Sequence, residues 1–304
     1  MAAAAVFTCR LEPGLGSVAY TRGAERHVID PSTCRDTVIG TVSHHPHPAL
    51  VGPGGAIAVV RSSGRGRTAK QTIVANGRPA FSETQSYNAI GPGDTPGPIM
   101  LLGWSGDARW IFFTIDPGSS ASIAADGLVL RVVSVDGGPV HKLGPMLVNE
   151  NYLAWCGGRM VFSGGGDRLA WHNKRLLAAA PPAWRVRPLA PDRGRAWGAV
   201  TCAPGDDAVV VQSQHESEDA TFSHGRWALW WIGFDGTERK LTAPPRRFAD
   251  ESPRFAGATL FFVRTRNAHG SLYALDKGRI TGPFAELGFN LGYYGHHDWP
   301  YLPR

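Results

Sequence analysis

A short phrase recurs along the chain at long and fairly even intervals, and it constrains the fold more than any other feature. The phrase joins an aromatic or small residue, a turn that contains glycine and a run of apolar residues. Clear copies occupy 103–113, 201–211 and 253–263, and weaker copies occupy 51–60 and 154–162. A long fixed period indicates one supersecondary unit used repeatedly, and a period of about 40–50 residues built from strands is typical of β-propeller blades.

The spacing of the apolar runs predicts how many units the chain contains. Neighbouring runs are 39 to 54 residues apart, which is consistent with one four-stranded antiparallel blade each. The runs are anchored at six positions: Val18, Ile57, Ile111, Met160, Val209 and Leu260. We therefore expect an all-β fold, a six-bladed β-propeller, with residues 1–304 forming a single domain, because no blade of a propeller is stable alone.

The first repeat is incomplete. Its strands are predicted over 18–21, 27–29 and 37–39, and the innermost strand that should precede them is missing upstream. Near the C-terminus, 295–301 matches 248–255, the segment that leads into the inner strand of the last repeat. We expect this C-terminal strand to join the N-terminal blade and close the propeller, since closure removes unpaired strand edges.

Local patterns predict hairpins rather than helices. Residues 209–214 are expected to pair with 227–234, and residues 259–264 with 271–275, because each pair of apolar segments is separated by turn-forming residues. The segment 167–177 alone has a plausible helical face. It follows three glycines, which favour a turn that leads into a pair of strands.

Composition limits the classes of function. Apolar residues make up 43% of the chain and charged residues 18%, so the chain can bury a large core. The formal net charge is +6, but the basic residues are dispersed, and the densest group is Arg65, Arg67 and Lys70. We interpret this group as a solvated loop rather than a phosphate-binding patch, and we expect no nucleic-acid partner. No apolar run approaches the roughly 20 residues of a membrane span, so none is expected.

Two of the four cysteines occupy matching places in successive repeats. Cys156 and Cys202 each come just before a turn, which could bring them onto neighbouring inner strands. A disulfide requires Cα atoms within about 7 Å of each other. Both a disulfide and two buried thiols remain open, and we expect the thiols because free cysteine is often buried.

Several segments resemble the TolB-like, WD-like β-propeller repeats of bacteria. Residues 229–242 contain a strand, an Asp-Gly turn, a second strand and Leu-Thr, and residues 250–255 follow with the pattern Asp-x-x-Pro-x-Phe. Residues 104–113 are similar to the turn of the same repeat, with Gly106 where proline is usual.

The resemblance is clear over 98–145 and 196–301 and weak over 40–97 and 146–195. It implies a six-bladed propeller, often in the bacterial envelope or outside the cytoplasm, so a periplasmic or secreted location is suspected. The N-terminal residues lack the positive region of a complete signal peptide. The resemblance implies no single activity, because the repeat serves the folding of the blade.

Histidines cluster where one repeat joins the next. Junction loops of a propeller converge on the mouth of its central channel, so His45, His215, His296, His297 and Asp298 are candidate ligand-binding residues. Histidine and carboxylate ligands suit a divalent transition ion. Oligogalacturonate lyases, a related class of propeller enzymes, are similar in holding a metal there through His and Gln. The alternative is that these side chains cap strand ends, and we expect no metal and no cofactor.

Tryptophan is frequent, and most copies lie inside the repeated phrase, which favours packing over ligand binding. We expect this packing role for Trp104, Trp155, Trp197 and Trp299, and we expect one of Trp227, Trp230 and Trp231 on the blade rim. The sequence contains no nucleophile elbow, no dinucleotide fingerprint and no Cys-x-x-Cys motif.

These observations predict a non-catalytic, monomeric binding module that recognises a protein, small-molecule or glycan ligand at one face near the channel mouth. The first alternative is a propeller enzyme that acts on a polysaccharide with a histidine-bound metal, and the second is the propeller part of a larger serine peptidase. The recognition loops are predicted at 43–49, 88–98, 146–151, 191–197, 244–252 and 292–299.

Overall fold

The computed structural model of the chain consists of β-strands joined by turns. It describes residues 18–22, 25–30, 35–41, 49–64, 69–84, 99–115, 127–148, 150–166, 169–218, 226–267 and 269–289. These ranges hold 23 strands and no α-helix, with short 3-10 turns at Pro53–Gly55 and Glu150–Tyr152. The predicted all-β class is confirmed.

The first two sheets are formed by consecutive strands. Sheet 1 contains β1 (Val18–Arg22), β2 (Glu25–Ile29) and β3 (Asp36–Thr41), and sheet 2 contains β4 (Ala49–Val51), β5 (Ile57–Ser63), β6 (Lys70–Ala75) and β7 (Arg78–Thr84). Each strand pairs antiparallel with the next one in the chain. The three strands of sheet 1 confirm the prediction for that repeat. The fourth strand, predicted from residues 295–301, lies outside the described residues.

Sheets 3 and 4 are joined to each other. Sheet 3 contains β8 (Ile99–Trp104), β9 (Trp110–Ile115), β10 (Leu128–Ser134) and β11 (His141–Met146), and sheet 4 contains β12 (Leu153–Cys156), β13 (Arg159–Gly164), β14 (Arg175–Ala179) and β15 (Arg187–Pro188). A single residue pair, Met146 with Gly164, links β11 to β13 and makes one eight-stranded assembly. The end of the segment 167–177 enters β14, so it is a strand there, as predicted.

Sheets 5 and 6 each have four strands. Sheet 5 contains β16 (Arg195–Cys202), β17 (Ala208–His215), β18 (Ala228–Gly233) and β19 (Glu238–Lys240), and sheet 6 contains β20 (Ala249–Ala256), β21 (Thr259–Arg266), β22 (His269–Asp276) and β23 (Arg279–Phe289). Val209 pairs with Ile232, and Leu260 pairs with Leu275. Both predicted hairpins are therefore confirmed.

The core lies between successive sheets, and the apolar run of the repeated phrase explains why. Successive side chains of a strand point to opposite faces, so a strand buried on both faces must be apolar at every position. In sheet 6, Phe262 packs with Val210 of sheet 5, while its neighbour Phe261 packs with Ile29 of sheet 1. The same alternation occurs at Phe112 with Phe113, at Val161 with Phe162 and at Val209 with Val210.

Glycines at the turns of the repeated phrase allow neighbouring sheets to interlock. A Cβ added to Gly52 of sheet 2 would lie 2.6–2.8 Å from ring atoms of Trp104 in sheet 3. A Cβ added to Gly106 of sheet 3 would lie 2.9 Å from the ring of Trp155 in sheet 4. Each glycine therefore seats the tryptophan of the following inner strand. Trp104 and Trp197 are 3% and 1% exposed, which confirms their predicted packing role.

The expectation of two buried thiols is wrong, because Cys156 and Cys202 form a disulfide. Their Cα atoms are 5.4 Å apart, which lies within the range that a disulfide can span. The reason is their place in the fold. Cys156 ends β12 and Cys202 ends β16, and these first strands of sheets 4 and 5 lie side by side.

Candidate functional site

The described parts of the predicted recognition loops, at 146–148, 150–151, 191–197 and 244–252, lie on one face of the sheets, which we call the junction face. In sheets 2 to 6 the first strand begins there and the second strand ends there. In sheet 5 Arg195 pairs with His215, and in sheet 6 Ala249 pairs with Thr265. The turns of the repeated phrase lie on the opposite face, which we call the hairpin face. Loops from different sheets are therefore brought together on the junction face.

One arginine ties together three loops of the junction face over sheets 4 and 5. The guanidinium group of Arg175 forms an ion pair with Asp192 at 3.0 Å, and it also pairs with Glu216. The backbone N–H of Glu216 donates a hydrogen bond to the carbonyl oxygen of Gly194 at 2.9 Å. The N–H of Gly194 in turn donates to the carboxylate of Asp192 at 3.2 Å. These contacts fix the loops before any partner binds, so a partner need not order them.

A buried ion pair supports the same face over sheet 6. Asp250 is fully buried, and its two carboxylate oxygens accept hydrogen bonds from Nε and Nη2 of Arg264 at 2.7 and 3.0 Å. This bidentate geometry is the strongest arrangement for such a pair. The backbone N–H of Asp250 donates to the carbonyl oxygen of Trp227, at 2.9 Å, so the pair also anchors the end of sheet 5.

The side chain of Arg254 forms hydrogen bonds that connect three neighbouring sheets at their first strands. Nη1 of Arg254, on β20, donates to the carbonyl oxygen of Val200 on β16 at 2.9 Å. Nη2 of Arg254 donates to Oδ1 of Asn151, just before β12. One guanidinium group thus connects sheets 4, 5 and 6. It was not predicted, because residues 250–255 were interpreted only as a signature of the repeat, although a charge within an inner strand was the available signal.

Buried acidic groups adjoin this connection. Glu251 is 3% exposed, and its Oε1 accepts a hydrogen bond from the hydroxyl of Thr265 at 3.1 Å. Burial raises the pKa of the Tyr152 phenol well above its usual value, and the nearby carboxylate of Glu251 raises it further. Tyr152 therefore stays neutral across the physiological range and can donate or accept a hydrogen bond, but it does not act as a base.

Two glutamines that precede His215 serve the backbone rather than a ligand. Oε1 of Gln212 accepts a hydrogen bond from the N–H of Ser252 at 2.8 Å, and Oε1 of Gln214 accepts one from the N–H of Arg226 at 2.6 Å. Gln212 lies over Gly198, where an added Cβ would come within 2.4 Å of its amide nitrogen. Both side chains are buried, and their positions hold sheets 5 and 6 and the end of β17 in register.

The structure places one of the five predicted site residues. His215 is exposed at the end of β17, on the junction face as expected. His45, His296, His297 and Asp298 lie outside the described residues, so their convergence with His215 remains a prediction. Among the side chains that are described, no group of three or more His, Cys, Asp or Glu residues is arranged to hold a metal ion.

The rim tryptophans are partly exposed and contact cations. Trp227 is buried, whereas Trp230 and Trp231 are half-buried. The guanidinium carbon of Arg195 lies 3.8 Å from the ring centre of Trp230. Two of the three tryptophans rather than one are therefore partly exposed, on opposite faces of β18. In the ranges that the structure covers, no helix has the length and apolarity needed to cross a membrane.

Sequence comparisons return no relative. No family model matches the chain, and no curated protein sequence matches it significantly. Similarity is found only among solved structures.

TolB from Acinetobacter baumannii superimposes with a TM-score of 0.50 at 14% identity, over 88% of this chain and 64% of that one. A structure from Agrobacterium tumefaciens assigned as a TolB gives a TM-score of 0.49 at 10% identity, over 90% and 88% of the two chains. A puromycin-hydrolysing peptidase of Mycobacterium tuberculosis gives 0.48 at 11% identity, over 92% of this chain and 44% of that one. The chain thus spans less than two thirds of the first protein and less than half of the third. At these identities the similarity establishes architecture and not activity, and the fold is that of a TolB-like β-propeller.

Proposed function

We propose that the chain is a non-catalytic binding module that recognises a protein or another ligand with its junction face. The observation that carries this proposal is the fixed arrangement of the loops over sheets 4 and 5. Arg175 holds Asp192 and Glu216 in place, while the Asp192 side chain stays 57% exposed and that of Glu218 stays 91% exposed. Rigid loops with exposed charged groups suit recognition, because little conformational entropy is lost on binding.

The scaffold of the proposal is a closed six-bladed propeller made of all 304 residues. Sheets 2 to 6 pack in chain order, and Ile29 of sheet 1 lies in one apolar cluster with Phe261 and Leu272 of sheet 6. Packing between the first and last sheets supports a ring. In such a ring the C-terminal residues 295–301 would supply the inner strand of sheet 1.

The state of the buried acids favours binding over catalysis. A catalytic acid or base must be able to exchange its proton near the working pH. The raised pKa of the Tyr152 phenol keeps that group neutral, so it does not serve as a base, and the buried Asp250 carboxylate accepts two hydrogen bonds from Arg264. The alternative of a metal-dependent enzyme rests on the exposed His215 together with His45, His296, His297 and Asp298, which lie outside the described residues.

The disulfide supports a location outside the cytoplasm. Disulfides persist in oxidising compartments and are rare in the cytosol. The bond between Cys156 and Cys202 joins two sheets of the core, so it is a structural bond rather than an exposed accessory. We therefore propose that the binding partner is met in the periplasm or outside the cell.

Site-specific photo-crosslinking in the native host tests the proposal. A photo-reactive residue would replace Arg193 or Glu218 on the junction face, and Arg78 or Asp207 on the hairpin face as matched exposed controls. We expect one reproducible partner, identified by mass spectrometry, from the junction-face positions alone. Crosslinks to that partner from the hairpin face, or from both faces equally, would contradict the proposal.

A further inference from the structure

Four exposed arginines surround one turn of the junction face between sheets 5 and 6. We call this group the arginine patch, and it consists of Arg226, Arg246, Arg247 and Arg266. All four belong to loops or strand ends of the face proposed above to bind a partner. Sequence analysis did not single them out, because they lie up to 40 residues apart in the chain.

Backbone contacts bring the four residues together. The N–H of Phe248 donates to the carbonyl oxygen of Pro245 at 3.0 Å, which closes a tight turn around Arg246 and Arg247. Arg266 lies beside this turn, with its guanidinium carbon 5.4 Å from the ring centre of Phe248. Arg226 is brought close to the same turn by its neighbour Trp227, whose carbonyl oxygen accepts a hydrogen bond from the N–H of Asp250, two residues after the turn.

Among the described residues, no carboxylate forms a salt bridge with the arginine patch. Arg175, Arg193 and Arg264 each form a salt bridge with a carboxylate, but none of the four patch arginines does so among the described residues. The nearest acids along β20, Asp250 and Glu251, are buried beneath the patch. Asp250 is already paired with Arg264, so the charge exposed on this turn and its flanks is positive.

We propose that the arginine patch binds an acidic segment of a partner protein. Arginine presents planar guanidinium groups that hold carboxylates through two hydrogen bonds each, which suits side chains of Asp and Glu. The half-buried ring of Phe248 supplies a small apolar contact at the centre. A nucleic acid fits less well, because its affinity depends on many phosphate contacts along an extended stripe, whereas this patch is compact. The inference rests on the proposed binding role of the junction face.

A binding assay with a fluorescently labelled poly-glutamate peptide tests this inference. We expect measurable binding that weakens as the salt concentration rises. The variant Arg246→Ala/Arg247→Asn should raise the Kd roughly tenfold, because two exposed ion pairs within the usual range together supply the roughly 1.4 kcal/mol that a tenfold change represents. Asparagine is chosen at position 247 because the backbone φ there is 71°, which asparagine tolerates.

The matched control is Arg185→Ala/Arg187→Ala, which removes two exposed arginines near β15, at the edge of sheet 4. The control should leave the Kd unchanged, and Arg226→Ala/Arg266→Ala should reproduce the loss without touching the turn. Equal Kd values for the patch variants and the control would overturn the inference, since binding would then follow net charge alone. Tighter binding of a single-stranded oligonucleotide than of poly-glutamate would also overturn it.

The poly-glutamate assay needs no knowledge of the natural partner, so its result is separable from the crosslinking result. If the junction face gives crosslinks but the patch variants bind poly-glutamate as the control does, the proposed binding role stands and the proposed acidic segment is rejected. If neither the crosslinks nor the effect of the patch variants is observed, the proposed function itself is rejected.

Discussion

Removal of the disulfide should destabilise the protein by an amount that follows from its position in the chain. Cys156 and Cys202 are separated by 46 residues, and their bond connects the first strands of sheets 4 and 5. The bond limits the conformations of the unfolded chain, and the loss of entropy grows with the logarithm of the loop length. A loop of this length corresponds to about 4 kcal/mol at 25 °C.

The variant Cys156→Ala/Cys202→Ala isolates this contribution. Alanine is preferred to serine, because Cys156 is fully buried and a hydroxyl group there would lack a partner. Urea unfolding followed by tryptophan fluorescence should give a free energy of unfolding about 4 kcal/mol below that of the oxidised protein. The dependence on urea should also steepen, because an unfolded chain without the bond exposes more surface.

The control is the same pair of proteins in a reducing agent. In the reducing agent the two proteins should unfold with nearly equal free energies, because neither then contains the bond between positions 156 and 202. If mass spectrometry finds the bond intact in the wild-type protein and both proteins still unfold with equal free energies, the entropy argument is refuted.

Three further predictions concern packing, a buried ion pair and pH. Gly52→Ala should lower the free energy of unfolding by about 1–3 kcal/mol, because the added Cβ overlaps the ring of Trp104 at an ordinary backbone φ of −103°; in a Trp104→Ala background it should have almost no effect. Asp250→Asn should lower the free energy of unfolding in urea by about 3–5 kcal/mol, because Arg264 keeps its positive charge but loses the negative charge that balances it. The double variant Asp250→Asn/Arg264→Met should recover part of this loss. Tyr152 has a higher pKa in the folded protein than its value of about 10 in an unfolded chain. Its contribution to stability is therefore fully present below about pH 10 and is lost as the pH rises through the folded pKa. Tyr152→Phe should flatten the alkaline decline in thermal stability.

The architecture could be predicted because its signals are local and repeated. Consecutive apolar residues such as Phe261 and Phe262 must lie on a strand buried on both faces, and that pattern occurs in sheets 3, 4, 5 and 6. The hairpins followed from turn residues between alternating segments. A regular period thus predicts strands, their pairing and their order without any knowledge of distances between sheets.

The disulfide could not be predicted with the same means. Matching places in two repeats locate Cys156 and Cys202 on equivalent strands, but they do not give the distance between those strands. The Cα separation of 5.4 Å depends on how closely β12 and β16 approach each other, which is set by the packing of sheets 4 and 5. The sequence therefore allowed either a disulfide or two thiols. Because free cysteine is often buried, we expected the thiols, and this expectation was wrong.

The candidate site was only partly predictable, for a physical reason that concerns the two faces. The hairpin face carries the turns of the repeated phrase, where Gly52 and Gly106 seat tryptophans of the next sheet. Residues there are constrained by packing, so they repeat and can be recognised. The junction face connects sheets through loops whose length and composition differ from one repeat to the next.

Side chains such as Arg175 and Arg254 do not belong to the repeated phrase, and among the described residues their contacts have no equivalent in another sheet. The contacts join residues 41 and 103 positions apart, so no local pattern announces them. The features that make a propeller recognisable therefore lie on the face where its sheets interlock, whereas recognition of a partner is expected on the face where the sequence does not repeat. An interpretation based on repeats alone therefore finds the scaffold and misses the arginines that join its loops.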